Sequence, residues 1–165
     1  MSVRAMCVRV VLVCTGNTCR SPMAAALFEH YARSEPRLEG VEVDVKSAGL
    51  QAVEGEPASP AAVRAMRARG LSLDDHRARP FDGEMASADL ILTMTERHKA
   101  EIILRHPEAA ANVYTLKEYA ADPSGRDIAD PFGGDDEVYE ATLREIETAV
   151  AKAVERLAKE RTQGQ

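Results

Sequence analysis

The chain has 165 residues, of which 45% are hydrophobic and 29% charged, an ordinary globular composition that predicts one domain over residues 1–165. The formal net charge of −6 argues against a surface for nucleic acids or anionic membranes, and no apolar stretch approaches the ~20 residues of a transmembrane helix. Arginines interrupt the apolar residues of the N-terminus, so no signal peptide is predicted, and the three cysteines suit the reducing cytoplasm better than a disulfide framework. We therefore expect a cytoplasmic protein and a monomer.

Predicted strands and helices alternate along the chain. Short runs rich in β-branched residues predict strands, and segments bounded by cap residues, prolines or glycines predict helices. In chain order we predict a buried strand at 8–13, a helix at 23–33 capped near Ser21, an edge strand at 41–45, a helix at 59–70, a buried strand at 88–94, a helix at 96–106, a short strand at 112–116 and a helix at about 138–159. This alternation indicates an α/β fold, a three-layer sandwich with a four-stranded parallel sheet and helices on both faces.

The segment Cys14–Pro22, with the sequence CTGNTCRSP, follows the first predicted strand. Gly16 allows a tight turn, and a helix predicted to start at Ser21 adds its N-terminal amides, so the loop is suited to bind an oxyanion. Arg20 offers a planar pair of donors for two phosphate oxygens. Such a positive field is expected to lower the pKa of Cys14 to roughly 3.5–7.5. The segment therefore predicts a phosphate-binding loop with a nucleophile at its base.

Three other interpretations of this segment compete with a phosphate-binding loop. A Walker-type nucleotide loop is excluded because no Gly-Lys-Ser/Thr occurs, and an inert buried cysteine would not explain the glycine, arginine and helix start that follow. Cys14 and Cys19 have the spacing of half a zinc site. The remaining ligands would have to come from unpaired residues, namely Cys7, His30, His76, His98 and His106. A metal site is therefore not expected.

Several motifs in order resemble the low-molecular-weight protein tyrosine phosphatase family. The resemblance extends over nearly the whole chain. The matching segments are VCTGNTCRSP, KSAG after the second strand, DHRAR at Asp75–Arg79, ADLILTM, and DIADPFGG at Asp127–Gly134. Separate motifs in one order are far more specific than any one of them alone.

The resemblance implies catalytic roles for three residues: Cys14 as the nucleophile, Arg20 as the phosphate clamp and Asp130 as the general acid. The long polar loop contains two Asp-Pro pairs, at Asp122 and Asp130, between which the residues alone do not choose. The match to DPFGG selects Asp130. The implied reaction is hydrolysis of phosphorylated protein side chains through a phosphocysteine intermediate. No metal or other cofactor is expected, because backbone amides and Arg20 neutralise the phosphate.

Other residues match supporting and substrate-binding positions of the family. Ser47 and His76, together with Asn17 and Ser21, match a polar network that supports the loop. The residues implied to bind the substrate are Thr15, Gly16, Asn17, Thr18, Cys19, Ser21 and Phe132. Ser21 is also implied to stabilise the thiolate when the phosphocysteine is hydrolysed.

Two departures bear on which phosphorylated side chain is the substrate. Tyrosine-directed members typically carry a bulky aliphatic residue at the position of Thr18, and they follow the Asp-Pro with two aromatic residues. Here Phe132 is followed by Gly133 and Gly134. In both respects the chain is similar to the bacterial protein-arginine phosphatases, so phosphoarginine is favoured and phosphotyrosine is the alternative.

More distant functions share parts of these features. An arsenate reductase would need further redox cysteines, and none follows Cys19. A cysteine phosphocarrier of a sugar-transport system would not need Arg20 together with an Asp-Pro loop. A phosphate- or phosphopeptide-binding module would have the loop without turning over an aryl phosphate.

Cys19 also predicts redox sensitivity. It lies in the same tight loop as the predicted nucleophile Cys14. We expect peroxide to form a sulfenic acid on Cys14, which Cys19 resolves as a disulfide, although Cys19 is also consistent with a small packing residue.

Overall fold

The structure, a computed structural model, describes residues 6–163. Residues 1–5, part of the stretch considered above for a signal peptide, lie outside the described residues. The strands are β1 (Met6–Cys14), β2 (Val41–Gly49), β3 (Leu90–Thr93) and β4 (Val113–Thr115). The α-helices are α1 (Arg20–Arg33), α2 (Pro60–Arg67), α3 (Glu96–Arg105), α4 (Leu116–Tyr119) and α5 (Asp136–Gln163). Short 3₁₀ segments lie at Pro36–Leu38, Met85–Ser87 and Pro107–Asn112.

The strands form one parallel sheet in the order β2-β1-β3-β4. The chain passes from β1 to its neighbour on one side and then crosses to β3 on the other, so the strand order reverses around β1. Parallel α/β sheets bind ligands at the carboxyl ends of their strands at such a reversal. Cys14 is the last residue of β1. The predicted fold class is confirmed, and the sheet topology points to the loop after Cys14 as a ligand site.

The central strand β1 is buried on both faces of the sheet. Leu12 packs into a core cluster with Phe28 of α1 and residues of α5, whereas Val13 packs into a second cluster with Ile102 of α3. This follows from the alternation of side chains along a strand. Burial of each such side chain contributes about 1.5–3 kcal/mol. The end of β1, and with it Cys14, is therefore held firmly in the core.

The predicted elements are all present, with changes at some ends. Helix α1 begins at Arg20, and Cys19 is the residue before it, so Ser21 is not the cap residue that the sequence predicts. Ser21 lies inside the helix, where its hydroxyl contacts the sulfur of Cys14. The short helix α4 is not predicted from the sequence. It begins at a capping box, in which the side chains of Thr115 and Glu118 bond each other's backbone N–H groups.

Helix α5 starts two residues earlier than predicted, at Asp136, and it covers α1 on one face of the sheet. Charged residues interrupt its apolar positions. Among residues 6–163, no helix is both long and apolar enough to cross a bilayer.

Candidate active site

The loop between β1 and α1 curls over the carboxyl end of the sheet. Its residue Asn17 is fully buried and has a φ of 57°, in the left-handed region that asparagine tolerates better than most residues. The Asn17 Nδ2 atom donates hydrogen bonds of 2.9 Å to both the Ser21 and the Ser47 hydroxyls. Its Oδ1 atom accepts from the backbone N–H of Arg79 at 3.0 Å, and its carbonyl oxygen lies 2.7 Å from His76 Nε2.

These bonds explain how the loop keeps an unfavourable backbone conformation. A left-handed non-glycine residue costs on the order of 1–3 kcal/mol, and each intramolecular hydrogen bond contributes a net ~0.5–1.5 kcal/mol. The four contacts of Asn17 therefore offset its strain. Ser47 and His76, for which the sequence predicts loop support, both contact Asn17 directly.

Gly49, at the end of β2, sets how closely the loop approaches the sheet. A Cβ atom there would lie 2.5 Å from the Thr15 carbonyl oxygen and 3.0 Å from the Asn17 nitrogen, which no real side chain tolerates. The two residues after Gly49 form backbone hydrogen bonds with the start of the loop. Leu50 N–H donates to the Cys14 carbonyl oxygen, and Gln51 N–H donates to the Thr15 carbonyl oxygen. The glycine of KSAG is thus required by close approach, a role that the sequence alone does not indicate.

The Cys14 sulfur lies at the base of the loop. It is 2.9 Å from the Ser21 hydroxyl oxygen and accepts the Asn17 backbone N–H at 3.3 Å. Burial raises the pKa of the Cys14 thiol, while hydrogen bonding from Ser21, the charge of Arg20 and the Asn17 amide act to lower it. The prediction of a lowered pKa is wrong in direction for this structure. The lowering groups are present, but the loss of hydration at a site only 3% exposed is larger.

The Arg20 guanidinium is buried beside the sulfur. Its Nη1 atom donates a 2.9 Å hydrogen bond to the carbonyl oxygen of Ile128, and its Nη2 atom lies 3.6 Å from Asp130 Oδ2. Asp130 is half-exposed, and its Oδ1 atom accepts the backbone N–H of Phe132 at 3.0 Å. Arg20 thus joins the phosphate loop to the loop that precedes α5.

These side chains surround one cavity of about 240 Å³ above Cys14. Its lining residues are Cys14, Thr15, Gly16, Thr18, Cys19, Arg20, Glu56, Asp130 and Phe132. Of the two Asp-Pro pairs, Asp130 lines this cavity. Asp122 does not, and its Oδ1 atom accepts hydrogen bonds from the backbone and hydroxyl of Ser124.

Cys19 also lines this cavity, and its thiol makes polar contacts with α5 and with the start of α2. Its sulfur donates to the Ser59 hydroxyl at 3.3 Å and lies 3.2 Å from the Tyr139 hydroxyl. Ser59 is also the N-cap of α2. Cys19 therefore connects the phosphate loop to two helices. In the part of the chain that the structure describes, no group of His, Cys, Asp and Glu side chains is arranged to hold a metal ion.

The sequence matches a family described as low molecular weight phosphotyrosine protein phosphatase over residues 9–163. The chain belongs to this family. The resemblance found from the motifs is thereby confirmed.

Several relatives are similar over nearly their whole length. A protein-arginine-phosphatase of Geobacillus stearothermophilus is 45% identical over 153 residues, covering 92% of this chain and 97% of that protein. The protein-arginine-phosphatase of Bacillus subtilis is 42% identical over 153 residues, with 92% and 98% covered. A probable low molecular weight protein-tyrosine-phosphatase, EpsP of Ralstonia nicotianae, is 40% identical over 149 residues, with 90% and 94% covered.

Solved structures agree with the fold. The YwlE arginine phosphatase from Geobacillus stearothermophilus superposes with a TM-score of 0.85 at 42% identity, covering 96% of this chain and 97% of that one. A cysteine-to-serine variant of the YwlE arginine phosphatase, with a phosphorylated active-site serine, also has a TM-score of 0.85, at 40% identity, with 94% and 99% covered.

Two residues at or beside the cavity of this protein, His98 and Glu56, were not predicted as site residues from the sequence. His98 of α3 is buried, and its Nε2 atom lies 2.8 Å from the Thr15 hydroxyl, yet the sequence suggested it only as a zinc ligand. Burial, followed by the charge of Arg20, lowers the pKa of His98 to about 4. Glu56 lines the cavity from the loop between β2 and α2. No motif marks Glu56, whereas His98 could have been suspected because it follows the carboxyl end of the buried strand β3 within one helical turn.

Proposed function

We propose that this protein is a cysteine-dependent phosphatase that hydrolyses phosphoarginine in proteins. The observation that carries the proposal is that Cys14, Arg20 and Asp130 line one cavity at the carboxyl end of β1. A nucleophile, a cation and an acid around one point are the parts that phosphoryl transfer requires. Phosphorylated proteins are the substrates that membership of this protein phosphatase family implies.

In the first step, the phosphoryl group of the substrate binds between the loop amides and Arg20. The Cys14 thiolate attacks phosphorus, and the S–P bond forms as the bond from phosphorus to the leaving nitrogen breaks. The electron pair of that bond stays on nitrogen, which takes the proton of the Asp130 carboxyl group. Ser21, Arg20 and the Asn17 amide favour the attacking thiolate against the effect of burial.

In the second step, water attacks the phosphocysteine. Asp130, now a carboxylate, accepts a proton from this water, and the P–S bond breaks to release inorganic phosphate and the Cys14 thiolate. Ser21 Oγ, 2.9 Å from the sulfur, stabilises this thiolate as it leaves. Asp130 thus acts in both steps in opposite proton states, first as an acid and then as a base.

Phosphoarginine is favoured by the cavity wall and by the relatives. Thr18 presents a small polar side chain to the cavity, and Phe132 is the single aromatic residue of its lining. Gly133 and Gly134 follow Phe132, so a phenol ring would have one aromatic face to pack against instead of two. Two relatives at 42–45% identity bear the name protein-arginine-phosphatase.

Phosphotyrosine is the second candidate. Phe132 is 76% exposed at the cavity rim, where an aromatic substrate could stack on it. The EpsP relative, at 40% identity, is named a probable protein-tyrosine-phosphatase.

We also propose that the protein acts as a monomer in the cytoplasm and without a metal or other cofactor.

The test compares two peptides of identical sequence, one carrying phosphoarginine and the other phosphotyrosine at the same position. We expect kcat/KM to be at least about tenfold higher for phosphoarginine, a difference of ~1.4 kcal/mol. Cys14→Ser should remove turnover of both peptides. A preference for phosphotyrosine would assign the protein to the second candidate, and turnover by Cys14→Ser would show that the nucleophile is another residue.

A further inference from the structure

We infer that Glu56 is a specificity-determining residue, whose carboxylate accepts hydrogen bonds from the guanidinium of the phosphorylated arginine. The inference rests on the proposed function and assigns the residue that distinguishes a guanidinium from a phenol. It depends on the position of Glu56 in the cavity wall and on the balance of charge there.

The backbone of Glu56 is fixed relative to the cavity. Its N–H donates to the Val53 carbonyl oxygen at 3.3 Å, and its own carbonyl oxygen accepts the Ala78 N–H at 2.7 Å. Gly55 N–H in turn donates to the Ala78 carbonyl oxygen at 2.9 Å. The segment therefore pairs with the chain next to His76, which itself contacts Asn17. Glu56 is thus held by the same segment that supports the phosphate loop.

The cavity wall contains more negative than positive side chains. Arg20 is the one Lys or Arg side chain among its lining residues, whereas Glu56 and Asp130 are both acidic. Arg20 lies at the floor, 3.6 Å from Asp130. Across residues 6–163, no Lys, Arg or His nitrogen lies within ion-pair distance of the Glu56 carboxylate, which is exposed. A negative charge without a counter-ion therefore faces the entrance.

The positive cavity floor and the negative cavity wall match the two charged parts of phosphoarginine. The phosphoryl group is anionic and belongs with Arg20 and the loop amides, while the adjacent guanidinium carries positive charge and several N–H donors. A carboxylate matches a guanidinium in both charge and geometry. A phenyl phosphate ester has neither charge nor donor at the corresponding atoms. Glu56 thus favours phosphoarginine without contributing to phosphate binding.

Asp130 cannot supply this interaction by itself. In the proposed first step it must carry the proton that the leaving nitrogen receives, so it enters the reaction as a neutral carboxylic acid. Its nearest cation is Arg20, which also binds the phosphoryl group. Glu56 has neither task, so its carboxylate is available to the substrate throughout both steps.

The experiment measures kcat/KM of the matched phosphoarginine and phosphotyrosine peptides, with no other basic residue in either sequence. The variants are Glu56→Gln, which keeps the size of the side chain and removes its charge, and Glu54→Gln as the control. Glu54 is an exposed acid two residues away that lies in a separate cleft with Lys46 and Arg77. Thermal unfolding of each variant verifies that the fold is retained.

We expect Glu56→Gln to lower the ratio of phosphoarginine to phosphotyrosine kcat/KM by about three- to tenfold, the size of one partly screened charge interaction. The effect should weaken at high salt, and Glu54→Gln should leave the ratio unchanged. An unchanged ratio in Glu56→Gln, or an equal change in Glu54→Gln, would overturn the inference.

The proposed function is tested separately by the wild-type ratio. A wild-type preference for phosphoarginine together with an unchanged Glu56→Gln ratio would retain the function and reject the role of Glu56. A further pair of peptides with a lysine beside the phosphorylated residue completes the test. If Glu56→Gln affects those peptides alone, Glu56 recognises the flanking residue and the inference is overturned.

Discussion

The Nε2 atom of His98 in α3 lies 2.8 Å from the hydroxyl of Thr15, the residue that follows the nucleophile. His98 is 7% exposed, and among the described residues its Nδ1 atom has no hydrogen-bond partner. A protonated imidazolium there would be poorly hydrated and close to the Arg20 charge, which is why the pKa of His98 is lowered to about 4. A neutral histidine thus supports the phosphate loop through its contact with the Thr15 hydroxyl.

This relationship predicts an acid-sensitive contribution to stability. His98 takes up its proton near pH 6.5 in the unfolded chain but only near pH 4 in the folded one. The unfolded state therefore binds more protons in this interval, and stability is lost as the pH falls from about 6.5 to 4, by about 2–3 kcal/mol for this residue. Chemical unfolding at several pH values should show a smaller loss for His98→Gln, whereas the exposed His30→Gln should behave like wild type. Equal pH dependence in all three proteins would contradict the prediction.

Asp130→Asn should slow hydrolysis most for poor leaving groups. General acid catalysis contributes typically ~10²–10⁴-fold, and its benefit shrinks as the leaving group becomes less basic. A series of aryl phosphates with graded leaving-group pKa values measures this as a steeper dependence in the variant. Asp122→Asn is the matched control, because Asp122 bonds Ser124 outside the cavity. Equal losses on every ester would indicate a binding role for Asp130, and a steep dependence in Asp122→Asn would reassign the acid.

Mild peroxide should inhibit the protein reversibly through a disulfide between Cys14 and Cys19. Peroxide oxidises the Cys14 thiolate to a sulfenic acid, and attack by the Cys19 thiol releases water as the S–S bond forms. Cys19 must first leave its contacts with Ser59 and Tyr139, so the bridge should form slowly. Mass spectrometry should find the bridge in wild type and in Cys7→Ser, whose mutated thiol is exposed. Cys19→Ser should instead lose activity that thiols do not restore, and absence of the bridge with no recovery in wild type would reject the idea.

Thr18→Ile should shift preference from phosphoarginine towards phosphotyrosine. The added apolar surface is worth roughly 1–2 kcal/mol to a phenol ring, and loss of the hydroxyl costs the guanidinium about 1–3 kcal/mol. Together these change the ratio of kcat/KM values by tens-fold, since ~1.4 kcal/mol is tenfold. Thr18→Val removes the hydroxyl at nearly constant size and should produce only the second part of the shift. An unmoved ratio in both variants would make Thr18 a packing residue.

The sequence allowed the fold and the floor of the site to be predicted because both depend on local patterns. The apolar run ending at Cys14 and the motif through Arg20 are continuous in sequence, and a strand followed by a helix fixes their geometry. Helix α4 was missed because four residues, Leu116–Tyr119, carry too little periodicity to distinguish them from the end of a strand. The pKa of Cys14 was predicted in the wrong direction because a motif names the nearby charge and amides but not the depth of burial.

The cavity wall could not be predicted in the same way. Glu56 and His98 reach the site from segments about 40 and 80 positions away from the phosphate loop, through tertiary contacts that no spacing encodes. The domain assignment, the monomeric state and the residue roles remain predictions. They concern assembly and chemistry, which the shape of one chain does not determine.

Because the strained backbone of Asn17 depends on distant contacts, we expect the active-site loop to form late in folding and to be lost early in unfolding. Its side chain and carbonyl group are held from Ser47, His76 and Arg79, which lie 30, 59 and 62 positions further along the chain. The loop cannot keep its shape until those distant segments have docked, and it relaxes as soon as they detach. In rising denaturant, phosphatase activity should therefore disappear before the far-ultraviolet signal of the helices does. We therefore expect such a protein to become inactive before it unfolds, which makes the range of conditions in which it works narrower than the range in which it stays folded.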